Sequence, residues 1–209
     1  MLNSPEINNF YLEKLNNYGP SAQGVGWRDQ KSQEIRFKQL IKIIDSDDSF
    51  IINDLGCGTG DLIRVLDLMF KGKYRYNGYD ALDEMITLAK KEFPECPSLG
   101  FMKITDYGQM EVCDYAVASG IFNVRDGVAD DEWQAYILAT IHAMSHCSKK
   151  GFAFNALTKY SDPERMRPEL FYSDPLLLFD YCKNNFSKSV ALLHDYGIYD
   201  FTILVRKDI

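Results

Sequence analysis

Short apolar runs and longer amphipathic stretches take turns along this chain. Phe50-Ile51-Ile52 is a compact apolar run, and residues 73–80, 100–106, 113–118, 151–157, 188–194 and 199–206 are further short segments of strand character. Between them lie stretches with helical spacing. One runs from about residue 29 to 44, with Ile35, Leu40, Ile41 and Ile44 on an apolar face. Another follows Gly60 and continues to about Phe70, where Lys71-Gly72 supplies a stop. Three more span 82–92, 131–147 and about 174–184, and a short one over 6–17 is broken by Asn17-Tyr18-Gly19-Pro20. Strands alternating with helices predict an α/β fold built on a parallel sheet, because parallel neighbours need a crossover. The last two strands are joined only by Asp195-Tyr196-Gly197, so they must be antiparallel neighbours.

The first strand runs into Asp54, and glycines follow at 56, 58 and 60. Asp61-Leu62-Ile63-Arg64-Val65-Leu66 then opens a helix. Strand, glycine turn and helix bring backbone N–H groups close to a nucleotide-like ligand. Glycine is needed there because a Cβ would meet the ligand or forbid the turn. A dinucleotide fingerprint would require glycine at 61, where Asp61 stands, which counts against an NAD-dependent oxidoreductase. The second strand ends in Asp80, a carboxylate able to accept both hydroxyls of a ribose or to cap the helix that Ala81-Leu82-Asp83-Glu84-Met85 begins. The third strand is expected to end in Asp106, for which an ordinary turn residue ahead of Tyr107-Gly108 is the structural alternative.

A G-x-G-x-G turn with an acid two residues before it resembles motif I of the class I S-adenosylmethionine (SAM)-dependent methyltransferases, and the resemblance extends from about Gly26 to the C-terminus. It implies a Rossmann-like seven-stranded sheet of order 3-2-1-4-5-7-6, with strand 7 antiparallel and helices on both faces. It implies SAM as cofactor, bound by Asp54, Gly56, Cys57, Gly58 and Gly60, by Asp80 with Ala81 and Met85, and by Ser119 and Gly120 at the methionine part. Asp106 and Tyr107 are expected at the adenine. In small-molecule members, N-terminal helices fold over the cofactor. Residues 1–45 are therefore expected as a helical cap on a core of 46–209, the two forming one domain. Trp27 would cover the site and Arg36 would meet the methionine carboxylate; core packing and a surface ion pair are the ordinary alternatives for these two.

Ser119-Gly120-Ile121-Phe122-Asn123-Val124, Gly151-Phe152-Ala153-Phe154-Asn155 and His194-Asp195-Tyr196 resemble small bacterial methyltransferases of surface-polysaccharide gene neighbourhoods. This resemblance implies O-methylation of a sugar, a nucleotide-sugar, or a phosphate or phosphoramidate group. A non-catalytic SAM-binding sensor or scaffold is the alternative. Base- and amide-methylating members often carry Asp/Asn-Pro-Pro-Tyr/Phe after the fourth strand, and this chain does not, which argues against DNA adenine and protein glutamine methylation.

Methyl transfer from a sulfonium is an in-line displacement, so the protein must mainly align the partners and exclude water. A base assists a hydroxyl acceptor and is dispensable for an anionic one. His194, expected at the ligand-facing end of the sixth strand, is the candidate base, with Tyr196 as its catalytic neighbour; a hairpin-turn histidine is the structural alternative. His142 and His146 stand four apart on one helix without an acid companion, and no metal site is expected. Asn123, Arg125, Tyr160, Arg165 and Arg167 are candidate substrate residues. The last three belong to a connection from Thr158 to Asp174, long enough to be a lid. Guanidinium groups suit an anionic acceptor, although Asp162, Glu164 and Glu169 offset them.

A formal charge of −7 and a pI near 5.0 argue against non-specific nucleic-acid binding, which depends on phosphate neutralisation. The five cysteines form no C-x-x-C pair and no leader precedes them, so a reducing cytoplasm is expected. No apolar run approaches membrane-span length. The expected partner is a small-molecule acceptor, with no nucleic acid and no membrane, and the oligomeric state is left open.

Overall fold

A computed structural model of the protein describes residues 5–93 and 96–207. Two helices, α1 (Pro5–Tyr18) and α2 (Gln30–Leu40), precede the first strand, β1 (Phe50–Leu55). Strands and helices then alternate through α3 (Leu62–Phe70), β2 (Tyr74–Asp80), α4 (Asp83–Glu92), β3 (Leu99–Lys103) and β4 (Cys113–Ala118). After α5 (Asp130–Cys147) come β5 (Ser148–Leu157), α6 (Pro175–Asn185), β6 (Ser189–Leu193) and β7 (Asp200–Arg206). The seven strands form one sheet in the order β3-β2-β1-β4-β5-β7-β6, and β7 runs antiparallel to both neighbours. This is the topology the sequence implied.

Side chains of period two sort the core into two layers. Phe152 and Phe154 of β5 and Ile203 and Val205 of β7 face Trp133, Ile137 and Ile141 of α5 and Leu178 of α6. Ala153 and Leu204 face the other way, toward Phe37 and Leu40 of α2, Ile63 and Leu66 of α3, and Ile86 of α4. Helices therefore cover both faces. α2 packs as one of the helices on the sheet, whereas α1 buries none of its residues. No helix among the described residues is long and apolar enough to cross a membrane.

Three local expectations are corrected. β3 ends at Lys103, not at Asp106, because Asp106 caps a tight turn over Tyr107–Gln109. Its carboxylate accepts from the Gly108 N–H at 2.7 Å, and Gln109 Oε1 accepts in return from Thr105 and Asp106 N–H at 2.7 and 3.1 Å. β5 begins at Ser148 rather than Gly151, since Ser148 already pairs with Cys113. The 158–174 connection is pinned rather than free. Lys159 N–H bonds the Ser173 carbonyl, Phe171 N–H bonds the Asn123 carbonyl, and Val124 bridges Leu170.

Candidate active site

A cavity of about 280 Å³, on the scale of small-molecule sites, opens where β1 and β4 end. That is the carboxyl edge of the parallel strands, where the strand order reverses. The turn after β1 forms its floor. Gly56 and Gly58 have φ of +74° and +53°, a region that side chains rarely enter. Both line the cavity, as do Cys57 and Asp54. A methyl group on Gly56 would collide with Ile121, so this glycine is required by the protein's own packing as well as by the turn. Gly60 stays outside the cavity. It lies behind the turn, where a Cβ would stand 3.1 Å from the rings of Phe93 and Phe101.

Two acids face this floor. Asp54 accepts from the Tyr76 hydroxyl at 2.7 Å. Burial, outweighing that bond and assisted by the Asp80 charge, pushes Asp54 up to about 7. Asp80 accepts from Gly58 N–H at 2.9 Å and from Leu82 N–H at 3.0 Å, tying the glycine turn to the end of β2. Burial raises its pKa, and the backbone bonds from Leu82, Gly58 and Ala81 oppose the rise. Each carboxylate oxygen keeps a lone pair for a ligand hydroxyl. Ala81, Leu82 and Met85 line the cavity beside it. Above them, Tyr11 reaches down from α1; burial, then the Asp80 charge, raises its phenol pKa.

The turn after β4 is held from β5. Asn155, fully buried, accepts from Gly120 N–H at 2.8 Å and donates to Ser119 Oγ at 3.0 Å. Gly120 has φ +77°, and a methyl group there would collide with Trp27. Trp27 thus lies against the Ser119-Gly120 turn and lines the cavity. Arg36 lines the cavity but its charge is already paired. Its Nε and Nη2 donate to Asp200 at 2.9 and 2.5 Å, its Nη1 donates to the Ser32 carbonyl at 2.8 Å, and Trp27 stacks on its face at 4.2 Å. The expected contact of Arg36 with a methionine carboxylate gives way to this internal clamp.

Of the candidate acceptor residues, the structure brings Asn123 and Arg167 to the cavity and leaves the others out. Arg125 is ion-paired with Asp130, and Arg165 stands 3.8 Å from Asp162. Tyr160 is exposed beside His194, ring to ring at 6.2 Å. His194 itself is exposed and lies outside the cavity. The reason is lateral. β6 is the edge strand, three places from β4, or about 14 Å at about 4.8 Å per strand. Tyr196 also lies outside, its hydroxyl 2.9 Å from Thr202 Oγ1. Asp106 and Tyr107 face a separate shallow recess rather than this cavity. Lining residues that sequence alone did not single out include Tyr11, Gln33, Tyr136 and Leu157. Leu157 has the signal of a strand end, whereas Tyr11, Gln33 and Tyr136 lie within helices α1, α2 and α5, where sequence marks no site.

Floor, acids and covering residues fit a nucleoside that carries positive charge. Two acids whose shifts owe nothing to a neighbouring cation, Asp54 buried and Asp80 half-buried, favour a sulfonium and an ammonium, and the glycine turn leaves the space for a close approach. Comparison with known proteins gives the same class. The chain is 49% identical over 168 residues to the putative methyltransferase Rv1506c of Mycobacterium tuberculosis (strain ATCC 25618 / H37Rv), covering 80% of this chain and 99% of that protein. Among solved structures, the N-methyltransferase NodS from Bradyrhizobium japonicum with S-adenosylhomocysteine (SAH) has a TM-score of 0.66 at 13% identity, over 98% of this chain and 100% of that one. Human N-acetylserotonin methyltransferase with SAM has a TM-score of 0.64 at 16% identity, over 95% of this chain and 59% of that one. The DhpI-SAM-HEP complex has a TM-score of 0.64 at 14% identity, over 98% and 97%. No family profile matches the chain. The chain belongs to the same methyltransferase family as that mycobacterial relative, and its fold is that of the SAM-dependent methyltransferases.

Proposed function

We propose that this methyltransferase acts on an oxygen of a small anionic acceptor: a sugar, a nucleotide-sugar, or a phosphate or phosphoramidate group. The observation that carries the reading is the make-up of the cavity's acceptor side. Arg167 lines it, and no histidine does. When bound, SAM supplies an electrophilic methyl, so that an acceptor lone pair forms the O–C bond while the S–C bond breaks and sulfur leaves as a neutral thioether. An oxyanion needs no proton removed at that moment, so such an acceptor does not require a histidine base. Asp80 is assigned to the ribose, and Trp27, Tyr11 and Ile7 to the exclusion of water. Surface-polysaccharide synthesis as the setting rests on the resemblance of three short segments alone.

The test is label transfer from methyl-labelled SAM to a set of sugar phosphates, nucleotide-sugars and matched neutral sugars. Transfer restricted to anionic compounds, at an oxygen, is the expected result. Transfer to neutral sugars or to amines overturns the acceptor assignment. A non-catalytic sensor is the second reading. It is favoured if SAM binds tightly yet no acceptor, including those in whole metabolite extracts, takes the label.

A further inference from the structure

Two side-chain amides in the cavity are buried and keep hydrogen-bonding capacity unspent. Gln33 is 5% exposed and lines the cavity. Among the described residues its side chain has no hydrogen-bond partner. Asn123 is 6% exposed; its Oδ1 accepts from Leu157 N–H at 3.0 Å, and its Nδ2 has no partner among the described residues. Neither amide is sealed from the cavity, so its unspent atoms are open to a ligand that enters it.

Their place in the fold separates them from the residues that face the cofactor. Gln33 stands one turn before Arg36 on the buried face of α2. Arg36 is clamped to Asp200, and Asp200 pairs with Leu157 across β7 and β5. Gln33 therefore reaches the cavity above the exit of β5. Asn123 holds that same exit through Leu157. The cavity's acids, Asp54, Asp61 and Asp80, belong to β1, the turn after it and the end of β2, on the opposite side of β4.

The polarity of the free atoms defines the ligand. Asn123 has only its NH₂ to offer, because its oxygen is used. Gln33 can present its NH₂ as well, and Arg167, whose Nε also stands 3.4 Å from Glu169, lines the same cavity. We propose that Gln33 and Asn123 form a neutral donor pair that holds the oxyanion of the acceptor, of carboxylate or phosphate type, above the exit of β5. The proposal rests on the anionic-acceptor reading above and assigns the residues that carry it. Neutral donors hold an anion without neutralising it as a guanidinium does, so its oxygen remains nucleophilic once water is excluded.

The test is calorimetric titration of the SAH-loaded protein with methylphosphonate and, separately, with acetate. At least one should bind wild type, and the tighter of the two identifies the type of oxyanion. Gln33→Glu and Asn123→Asp replace a donor with an anionic acceptor of nearly the same shape, and Asn123→Asp keeps the bond to Leu157. Each should weaken oxyanion binding about tenfold or more, the scale of a charge-assisted hydrogen bond, while SAH affinity stays within about twofold. Should Asn123→Asp fail to fold, Gln33→Glu decides alone. The proposal is overturned if neither oxyanion binds wild type, if the variants bind as wild type does, or if SAH affinity falls in parallel, which would make the amides cofactor contacts. Label transfer to sugar phosphates is a separate measurement, so loss of this donor pair and loss of the anionic-acceptor reading remain distinguishable.

Discussion

The cavity has two halves built in different ways. At β1 and β2, the floor is made from consecutive residues: Asp54, then the 56–58 turn, then Asp80 reaching back to the Gly58 N–H. At β4 and β5, it is made from residues far apart in the chain. Gln33 and Trp27 come from the N-terminal region, Asn123 from after β4, Leu157 from the end of β5 and Arg167 from the following connection. The first half needs a backbone shape that short sequence dictates. The second needs several long-range contacts to be made at once. Chief among them are the Arg36–Asp200 pair, the Trp27–Gly120 contact and the Asn155 bonds to Ser119 and Gly120. A half assembled in this way can change its lining by changing single residues, while the half built on the glycine turn stays as it is.

The largest effect should come from the clamp of the second half. Arg36→Ala leaves Asp200, which is fully buried, without its partner. The expected loss of stability is about 3–5 kcal/mol by urea unfolding, and adding Asp200→Asn should restore part of it. A loss below about 1 kcal/mol would show that the clamp does not secure the cap.

In the first half, Asp80→Ala should weaken SAM binding by about 1.5–3 kcal/mol and leave acceptor affinity at saturating SAM nearly unchanged. Calorimetry that finds SAM affinity unaltered removes Asp80 from the ribose.

Asp54 gives the first half a pH dependence with a definite sign. Its pKa rises from the usual carboxylate range to about 7 on folding, so the folded chain holds a proton that the unfolded chain releases. The stability this proton confers is present below about 4, the unfolded value, and is lost as pH rises through the folded value. The melting temperature of the ligand-free protein should therefore decline across that window relative to Asp54→Asn. Parallel melting curves for the two proteins would show that the shift is absent.

The smallest effect is expected at His194. It stands outside the cavity, so His194→Ala should change kcat less than about twofold and stability by less than about 0.5 kcal/mol. A fall of 10²–10⁴-fold would instead mark a positioned base and would move the acceptor half toward the edge strand.

Much of this molecule was legible in one dimension. Apolar runs of period two, helical stretches between them and a final three-residue link fix the strand count and the antiparallel partner, because parallel strands cannot be joined by a tight turn. The glycine turn and the acids at the ends of β1 and β2 were legible too, since a positive φ and a strand-end carboxylate are local demands. Asp106 misled because a strand-ending acid and a turn-capping acid look alike until the bonds to Gly108 and Gln109 are seen. For His194 the base and hairpin-turn readings both stayed open, because sequence places a residue at the end of a strand but not at a distance across the sheet. Whether Arg125, Arg165 and Arg167 are offset could not be read in sequence, because a cation's partner is set by whichever acid the fold brings near, here Asp130, Asp162 and Glu169. The unspent amides of Gln33 and Asn123 carry no sequence signal. Tertiary structure alone decides them, because whether a polar group is satisfied depends on every neighbour that the fold assembles around it.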